Sequence, residues 1–212
     1  MANENYFVHE RPEVLALIDE KINKVLDVGC GAGHFSASVK TKTGAEVWGI
    51  EPNNAAAAAA ANLIDKVLLG TYDDVESLLP ENYFDSIFFN DVLEHMTDPY
   101  SVLRKVHRVV KTHGRIYASI PNVLFIDSIK EVLITRDWRY TDAGTLDATH
   151  FRFFTRKSTI RMFEEAGWTV DKIVPLNAVS SWKWSLVNFF FLGYFSDFFP
   201  MQFGVVASKR NP

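Results

Sequence analysis

A glycine-rich stretch after an apolar run carries the first residues in this chain that are spaced for ligand binding. The run Val25 to Gly33, V-L-D-V-G-C-G-A-G, has its glycines at Gly29, Gly31 and Gly33. Glycine lets the backbone turn tightly and approach a ligand, and a helix that begins directly afterwards offers free N–H groups. Glu51 ends a second apolar run about 20 residues further on, where a carboxylate can accept hydrogen bonds from both hydroxyls of a ribose. These features predict a site for a ribose-containing ligand.

The spacing of the glycines separates two classes of such ligand. A dinucleotide loop usually reads G-x-G-x-x-G, whereas this loop reads G-x-G-x-G and His34 occupies the sixth position. Asp27 lies two residues before the first glycine. A compact loop of this kind suits a ligand that has no pyrophosphate, although glycine-rich turns between a strand and a helix also occur without any ligand.

The segment D-V-L-E-H, Asp91 to His95, offers three residues that suit either chemistry or structure. Asp91, Glu94 and His95 are spaced i, i+3 and i+4, so they can share one face of a helical turn. Such a set of oxygens and a nitrogen permits a metal site, and an imidazole there can remove a proton from a substrate hydroxyl. Asp91 with Glu94 is also a capping-box pattern. We prefer capping and pocket lining, assign no metal site, and keep His95 as a candidate catalytic base.

A second candidate base lies in the run L-D-A-T-H-F-R-F-F-T, Leu146 to Thr155. His150 is expected to act as the base or to bind the acceptor. Arg152 is expected to pair with a substrate carboxylate or phosphate, or only with a nearby acid. The phenylalanines of the run are expected to pack it onto the domain, and Thr155 is the expected N-cap of the next helix.

Helical and strand patterns alternate along the chain and predict the parallel sheet that would position these residues. Five predicted strands are Lys24–Val28, Ala45–Glu51, Lys66–Leu69, Phe84–Asn90 and Gly114–Ile120. Helices are predicted for the alanine run Ala55–Ala61, for Pro99–Val110, for Val123–Thr135 and between Thr155 and Ala166. Two further strands, Trp168–Leu176 and Phe203–Ser208, end the pattern.

Composition limits the class of protein. At 212 residues, with 48% apolar and 23% charged residues, the chain suits one α/β domain with a sizeable core. Its net charge of −4 argues against a general nucleic-acid binder. A single cysteine, Cys30, and an N-terminus without a secretory pattern lead us to expect a cytoplasmic protein. The most apolar stretch, Leu186 to Phe199, is too short to span a bilayer.

Four segments together resemble the class I S-adenosylmethionine-dependent methyltransferases, in the branch that includes quinone-biosynthesis and sugar or O-antigen enzymes. They are V-L-D-V-G-C-G-A-G, G-I-E-P-N, F-D-S-I-F-F-N-D-V-L-E-H-M-T-D-P and G-R-I-Y-A-S-I-P-N, all within Val25 to Asn122. The resemblance implies a Rossmann-like α/β fold, a seven-stranded, mostly parallel sheet with one antiparallel strand and helices on both faces. It also implies S-adenosyl-L-methionine as cofactor and S-adenosyl-L-homocysteine as product.

The resemblance further implies roles for individual residues. The glycine loop with Asp27 would line the methionine part of the cofactor, Glu51 would hold the ribose, and Asn90 would lie near the amino group. The family usually places an acidic residue after the third strand for the adenine amine. Here the sequence is L-G-T-Y-D-D, so either Tyr72 stacks on the adenine or Asp73 reaches it. The expected cofactor residues are Arg11, Asp27, Gly29, Cys30, Gly31, Gly33, Glu51, Pro52, Tyr72, Asp73 and Asn90.

Segments outside this core are expected to form the acceptor side. In relatives, a segment like N-Y-F-V-H-E-R-P lies over the cofactor, so Tyr6 is a candidate for acceptor binding. Arg11 either pairs with the methionine carboxylate or is a surface charge at the start of a helix. The aromatic block in 181–200 either packs on the domain or a second subunit, covers an apolar acceptor, or contacts a membrane surface.

We expect a single domain over 1–212. It would comprise an N-terminal cap helix (1–23), a cofactor-binding core (24–120) and acceptor-side insertions (121–155 and 177–200). The predicted function is a methyltransferase that acts on a small molecule at a hydroxyl oxygen, of a sugar or of a quinone or aromatic type, without nucleic acid as a partner. One alternative is a non-catalytic partner subunit, which is slightly favoured because Asp73 is shifted from the position where the family usually has its acidic residue. The other is an NAD-dependent oxidoreductase, which the glycine spacing disfavours.

Overall fold

A seven-stranded sheet forms the centre of the molecule in the computed structural model, which describes residues 10–179 and 188–210. The strands are β1 (Lys24–Val28), β2 (Glu46–Glu51), β3 (Lys66–Leu69), β4 (Phe84–Asn90), β5 (Val110–Pro121), β6 (Trp168–Ala178) and β7 (Pro200–Lys209). Their order across the sheet is β3-β2-β1-β4-β5-β7-β6. β7 runs antiparallel to both of its neighbours, and the other pairs are parallel. The predicted mostly parallel sheet with one antiparallel strand is therefore confirmed.

Helices cover both faces of this sheet. They are α1 (Pro12–Leu15), α2 (His34–Thr43), α3 (Asn54–Ala60), α4 (Tyr72–Val75), α5 (Pro99–Lys105), α6 (Ile126–Lys130) and α7 (Arg156–Glu165). Single 3₁₀ turns occupy Glu76–Leu78, Leu93–His95, Val106–Arg108 and Ser196–Phe198, and a π-helical turn occupies Glu131–Thr135. No helix among the described residues is both long and apolar enough to cross a bilayer.

Alternate residues of each central strand enter opposite hydrophobic clusters, which is why both faces need helices. In β4, Ile87 joins the cluster that includes Leu103 of α5 and Phe163 of α7. Its neighbour Phe88 joins the cluster on the other side, where it packs edge-on against Phe35 of α2 at a ring-centroid distance of 5.1 Å. All five side chains are buried. The sheet is thus a rigid support for the loops at its carboxyl edge.

Two predicted helices are shorter than expected. The helix predicted over Pro99–Val110 ends in a 3₁₀ turn, because Val110 pairs with Phe84 of β4 and so belongs to β5. The helix predicted from Val123 begins only at Ile126. Asn122 first holds a turn, in which its side-chain and main-chain oxygens accept hydrogen bonds from the N–H groups of Leu124 and Phe125. Strand pairing thus overrides helical preference at Val110, whereas a local turn delays the start of the helix after Asn122.

Candidate active site

The glycine loop is tied directly to the end of β2. The N–H groups of Gly29 and Cys30 both donate to the carbonyl of Ile50, at 2.8 and 3.1 Å. Gly31 N–H donates to Glu51 Oε2 at 2.9 Å, and the other oxygen, Oε1, accepts from Asn53 N–H at 2.8 Å. Glu51 is only 5% exposed. Its carboxylate therefore fixes the loop and the start of α3 relative to each other, and each oxygen keeps a lone pair for a ligand hydroxyl.

Gly33 explains why the alanine-rich helix lies where it does. Its φ of +84° is left-handed, and a Cβ at this position would lie 2.9 Å from Ala60 Cα on α3. Only glycine combined with a small residue on the facing helix permits this approach. The alanine run thus brings α3 close against the loop.

The side chains of Asp27 and Cys30 are buried in the protein beside the glycine loop. Asp27 is fully buried, and its Oδ2 accepts a hydrogen bond from Ser36 Oγ on α2. Burial, reinforced by the charge of Glu51 and opposed by the Ser36 hydrogen bond, raises the pKa of Asp27 to about 7. The Cys30 side chain packs against Gly49, where an added Cβ would lie 2.5 Å from Sγ. Burial raises the pKa of the Cys30 thiol, so Cys30 can serve a ligand only through its backbone.

Asn90 ends β4 at the same edge of the sheet. Its Oδ1 and Nδ2 are both buried, and neither has a hydrogen-bond partner among the residues that the structure describes. A buried amide with both ends unpaired costs free energy unless a ligand or water pairs it. This orphaned amide therefore fits the predicted role of Asn90 in ligand binding.

Of the two residues proposed for the adenine, the structure places Tyr72 in the core and Asp73 in a surface ion pair. Tyr72 is 2% exposed, lies in the main hydrophobic core, and its hydroxyl has no hydrogen-bond partner among the described residues. Asp73 is exposed and forms an ion pair with Lys105 at 2.7 Å. Thr71 and Asp74 form a capping box that starts α4 at Tyr72 and directs its ring inward. The expected stacking by Tyr72 and contact by Asp73 are therefore not supported by this geometry.

Asp91 does not cap the turn that follows it, which corrects the capping prediction. The N-cap of the turn Leu93–His95 is Val92, and no side chain caps it. Instead, Asp91 adopts a left-handed φ of +53° and pairs with Arg11 through Oδ2. Ser119 of β5 and Gln202 of β7 both donate to Asp91 Oδ1 at 2.9 Å. Arg11 is therefore held near the ends of β4 and β5 rather than at the surface.

Glu94, His95 and His150 meet beside this network. The two imidazole rings lie 4.7 Å apart between centroids, and His150 Nε2 is 3.9 Å from Glu94 Oε1. One ligating atom from each of the three residues lies within 4.8 Å of the others. The segment containing His150 is attached here because the N–H groups of Phe151 and Arg152 donate to the Glu94 carbonyl. Both predicted bases therefore belong to one site.

The charge state of this cluster is set by its burial. Glu94 is 1% exposed and neither carboxylate oxygen has a hydrogen-bond partner among the described residues. Burial, reinforced by the charge of Asp91, raises the pKa of Glu94 well above its ordinary value. Burial and the neighbouring His95 lower the pKa of His150. At neutral pH, His150 is therefore uncharged and able to accept a proton.

A small cavity of about 70 Å³ opens at the cluster. Its walls come from the Asp91–His95 turn, from 144–150 and from Met201 and Gln202 at the start of β7. His150 Nδ1 lies 3.4 Å from the carbonyl of Thr145, so this nitrogen carries the hydrogen and Nε2 is the basic one. The cavity thus contains a largely buried imidazole whose Nε2 can accept a proton, at the carboxyl edge of the sheet.

The remaining predicted residues lie elsewhere. Arg152 is exposed and donates to the carbonyl of Thr97 at 2.7 Å, so it ties the segment that contains His150 to the loop before α5. Pro52 is exposed directly before α3. Tyr6 lies outside the described residues. Sequence reasoning missed Ser119 and Gln202, whose only signal was their position at the carboxyl edge of β5 and the facing start of β7.

Comparison with known proteins agrees with this geometry. A model of the methyltransferase domain matches residues 2–173. The chain is 37% identical over 115 residues to a ubiquinone biosynthesis O-methyltransferase of Pseudomonas syringae, covering 50% of this chain but only 49% of that protein. It is 33% identical over 174 residues to the protein of the same name from Pseudomonas fluorescens, covering 75% of this chain and 72% of the relative.

Solved structures agree on the fold. A SAM-dependent methyltransferase from Archaeoglobus fulgidus superposes with a TM-score of 0.70 at 19% identity, covering 97% of each chain. Together with the sheet order, the glycine loop and Glu51, these matches establish that the chain belongs to the class I S-adenosylmethionine-dependent methyltransferases.

Proposed function

We propose that this enzyme methylates a hydroxyl oxygen of a small aromatic acceptor of the quinone-precursor type. The observation that carries the proposal is the pair His95 and His150, which form one wall of the cavity together with buried Glu94. An oxygen acceptor must lose a proton, and a neutral imidazole is suited to take it. Relatives named ubiquinone biosynthesis O-methyltransferases support the aromatic acceptor over the sugar.

Aromatic side chains extend outward from the cluster and support a planar acceptor. The ring of Phe153 lies 6.2 Å from that of His150 and 5.1 Å from that of Trp138, in edge-to-face geometry. The ring of Tyr140 also lies near that of Phe153, at 6.5 Å between centroids. Trp138 and Tyr140 are 41% and 54% exposed. Such a row offers a planar ring favourable offset and edge contacts that a polyhydroxylated sugar uses less well.

The residues at the sheet edge fit the cofactor of the family. Glu51 is proposed to hold the ribose, and the glycine loop to line the methionine part, because no Cβ obstructs the backbone there. The orphaned amide of Asn90 is proposed to pair with a polar group of the cofactor. Arg11 is proposed to donate to the methionine carboxylate, and Asp27 supports the loop from beneath through Ser36.

When bound, the cofactor supplies an electrophilic methyl group on a positively charged sulfur, so the protein needs only to position the acceptor and remove its proton. His150 Nε2 is proposed to accept the proton of the acceptor hydroxyl as the oxygen–methyl bond forms and the carbon–sulfur bond breaks. The Thr145 carbonyl holds the tautomer that leaves Nε2 basic. His95 packs against His150 and donates from Nδ1 to the Thr149 carbonyl at 3.2 Å, which orients its ring.

Glu94, His95 and His150 are also close enough together to hold a metal ion, which gives the cluster a second candidate role. A divalent cation bound by Glu94, His95 and His150 would lower the pKa of an acceptor hydroxyl and make a separate base unnecessary. Enzyme treated with EDTA and passed through a metal-free column decides between the roles. Full activity supports the base. Activity that is lost, and restored by Mg²⁺, Mn²⁺ or Zn²⁺, supports the metal.

Binding and turnover together test the proposal. Calorimetric titration with S-adenosylhomocysteine, S-adenosylmethionine and NAD should show binding of the two sulfur nucleotides only. Methylation is then measured with 4-methylcatechol and with a methyl glucoside as probes, and the catechol should be the better acceptor. Absence of sulfur-nucleotide binding would overturn the proposal. Binding without turnover on either probe would favour the non-catalytic partner subunit, and turnover of the glucoside alone would favour the sugar branch.

A variant of His150 tests the assignment of the base. We expect His150→Ala to lower kcat by about 10²-fold or more, with S-adenosylhomocysteine affinity unchanged, because a general base contributes that much to proton transfer. The control is His107→Ala, since His107 lies away from the cavity, stacked on Trp168 with ring centroids 4.2 Å apart. Unchanged turnover in His150→Ala would return the histidine to a structural role.

We propose further that the aromatic turn, residues 188–195, contacts a membrane surface. Asn188 shapes this turn by accepting hydrogen bonds from Gly193 N–H at its carbonyl and from Phe195 N–H at its side chain. The turn exposes Phe189, Phe190, Leu192 and Tyr194 at 75, 72, 96 and 78%. It contains no charged residue, and Asp197 just beyond it pairs with Arg156. An uncharged aromatic surface suits insertion among lipid headgroups, without help from anionic lipid.

Vesicle flotation tests this surface. Binding to phosphatidylcholine vesicles should be seen, and it should be lost in Phe190→Ser/Leu192→Ser. It should change little between 50 and 500 mM salt, although the Debye length falls from roughly 14 to roughly 4 Å over this range. Binding only to anionic vesicles would contradict the argument from charge. Concentration-dependent dimerisation that the same variant abolishes would instead show that the turn contacts a second subunit.

We also propose that the enzyme works in the cytoplasm, because its single cysteine is buried and free, as is common in a reducing compartment.

A further inference from the structure

Asp91 joins side chains from three other parts of the chain at the carboxyl edge of the sheet. Arg11, directly before α1, donates through Nη2 to Asp91 Oδ2 and to Ser119 Oγ. Ser119 on β5 in turn donates from its Oγ to Asp91 Oδ1 at 2.9 Å. Gln202 on β7 donates to the same oxygen at 2.9 Å. Three donors therefore hold the Asp91 carboxylate in one orientation.

Gln202 is itself oriented by a residue of β6. Asn177 Nδ2 donates to Gln202 Oε1 at 3.1 Å, so the amide of Gln202 must turn its N–H₂ group towards Asp91. Gln202 is 8% exposed and lies in the wall of the cavity with Asp91. The result is a chain of hydrogen bonds from Asn177 through Gln202 and Asp91 to the guanidinium of Arg11.

Arg11 retains a donor that this chain does not use. Its Nε is buried and makes no hydrogen bond to any residue that the structure describes, although Glu13 Oε1 lies 3.4 Å away as an ion-pair partner. A guanidinium is rigid and planar, so fixing Nη2 on Asp91 and Ser119 also fixes the direction of its other N–H groups. The network therefore holds Arg11 in one pose with donor capacity to spare.

We infer that Asp91 and Gln202, although they line the acceptor cavity, are positioning residues for the cofactor: they hold Arg11 in the pose in which it meets the methionine carboxylate. The inference rests on the proposed cofactor contact of Arg11. The alternative is that both residues bind the acceptor directly. The Asp91 oxygens are already occupied by three donors, and an acceptor group would have to displace one of them. The antiparallel strand β7 thus contributes to cofactor binding from the acceptor side.

Calorimetry with S-adenosylhomocysteine separates the two roles. Gln202→Met keeps the volume and removes the donor. It should weaken binding of S-adenosylhomocysteine about three- to tenfold, less than the loss of a direct hydrogen bond to a charged group, because Gln202 acts only through Asp91 and Arg11. The KM for 4-methylcatechol should stay within about twofold. Gln202→Glu, which places a second carboxylate beside Asp91, should weaken cofactor binding further. A raised KM for the catechol with unchanged cofactor affinity would overturn the inference.

A double-mutant cycle tests whether Asp91 acts through Arg11. Asp91→Asn should weaken binding of S-adenosylhomocysteine about tenfold in the wild-type background and have little effect in the Arg11→Ala background. Additive losses would overturn the inference, because Asp91 would then act on the ligand without Arg11. Thermal unfolding of each variant identifies loss of fold, and Gln202→Met decides the question should Asp91→Asn not fold. Failure of the wild-type protein to bind S-adenosylhomocysteine would instead refute the proposed function.

Discussion

The buried carboxyl of Asp27 predicts a specific dependence of stability on pH. Asp27 is 2% exposed, its Oδ1 has no hydrogen-bond partner among the described residues, and only Ser36 donates to the other oxygen. Glu51, the nearest further acid, adds to the effect of burial, and the pKa of Asp27 rises from 3.8 to about 7. At pH values between 3.8 and about 7, the folded state therefore keeps a proton on Asp27 that the unfolded state has released. The substitution Asp27→Asn removes this titration while keeping the size and polarity of the side chain.

The sign and size of the effect follow from linkage. Because the folded-state pKa is raised, the stability that protonated Asp27 contributes is fully present below about pH 4 and is lost as pH rises through about 7. The loss amounts to about 1.4 kcal/mol per pH unit within that window. Between pH 5 and pH 8 the wild-type protein should therefore lose about 2 to 3 kcal/mol through this group. Asp27→Asn should not lose this stability. The free energy of unfolding of the variant minus that of wild type should therefore be about 2 to 3 kcal/mol larger at pH 8 than at pH 5.

Urea unfolding at pH 5 and pH 8, followed by tryptophan fluorescence, measures the difference. Asp65→Asn is the matched control. Burial opposes ionisation of Asp65, but the hydrogen bonds from Lys40 and from Val47 N–H prevail and lower its pKa, so it does not titrate in this range. Its difference from wild type should be the same at both pH values. An equally flat difference for Asp27→Asn would refute the reasoning, because the buried carboxyl would then ionise normally.

Three further predictions concern the cofactor side. Glu51→Ala should weaken binding of S-adenosylhomocysteine about tenfold or more in calorimetry, since its loss frees the loop and removes the ribose acceptor; unchanged affinity would remove the ribose assignment. Gly33→Ala should lower the free energy of unfolding by about 2 to 4 kcal/mol, against about 1 to 2 for Gly44→Ala, because both are left-handed but only Gly33 faces Ala60 at close range. Equal losses in urea unfolding would contradict the contact. Tyr72→Phe should leave cofactor affinity unchanged, and the free energy of unfolding should stay the same or rise by up to about 1 kcal/mol, because the hydroxyl is buried without a partner among the described residues. A weaker affinity for S-adenosylhomocysteine would support a contact between Tyr72 and the adenine.

Local patterns were sufficient for the glycine loop, the end of β2 and the starts of α3 and α7, but not for the residues expected at the adenine. The loop V-L-D-V-G-C-G-A-G, the acid at the end of β2 and the N-cap of α7 at Thr155 are contiguous signals, and each forms the predicted structure. The start of α3 is similar, since Asn53 caps it by accepting from Ala56 N–H. These features depend on backbone conformation within a few residues, and residue type alone largely determines that conformation.

The D-V-L-E-H segment shows where such reasoning fails. Its spacing suggested that Asp91 caps a turn, yet the side chain instead binds partners 28, 80 and 111 residues away along the chain. Competition from Arg11, Ser119 and Gln202 decided the outcome, because a carboxylate surrounded by three donors gains more than one that caps a short 3₁₀ turn. No local pattern marks such long-range partners.

Residue types and spacing were enough to predict the sheet, the glycine loop, the acid at the end of β2 and the two histidines as candidates. That His95 and His150 share one cavity with a buried Glu94, that Tyr72 belongs to the core, and that β7 reaches Arg11 through Asp91 became visible only in the folded chain. Near neighbours set backbone turns and strand patterns, whereas burial and the pairing of polar groups depend on which distant segments the fold brings together.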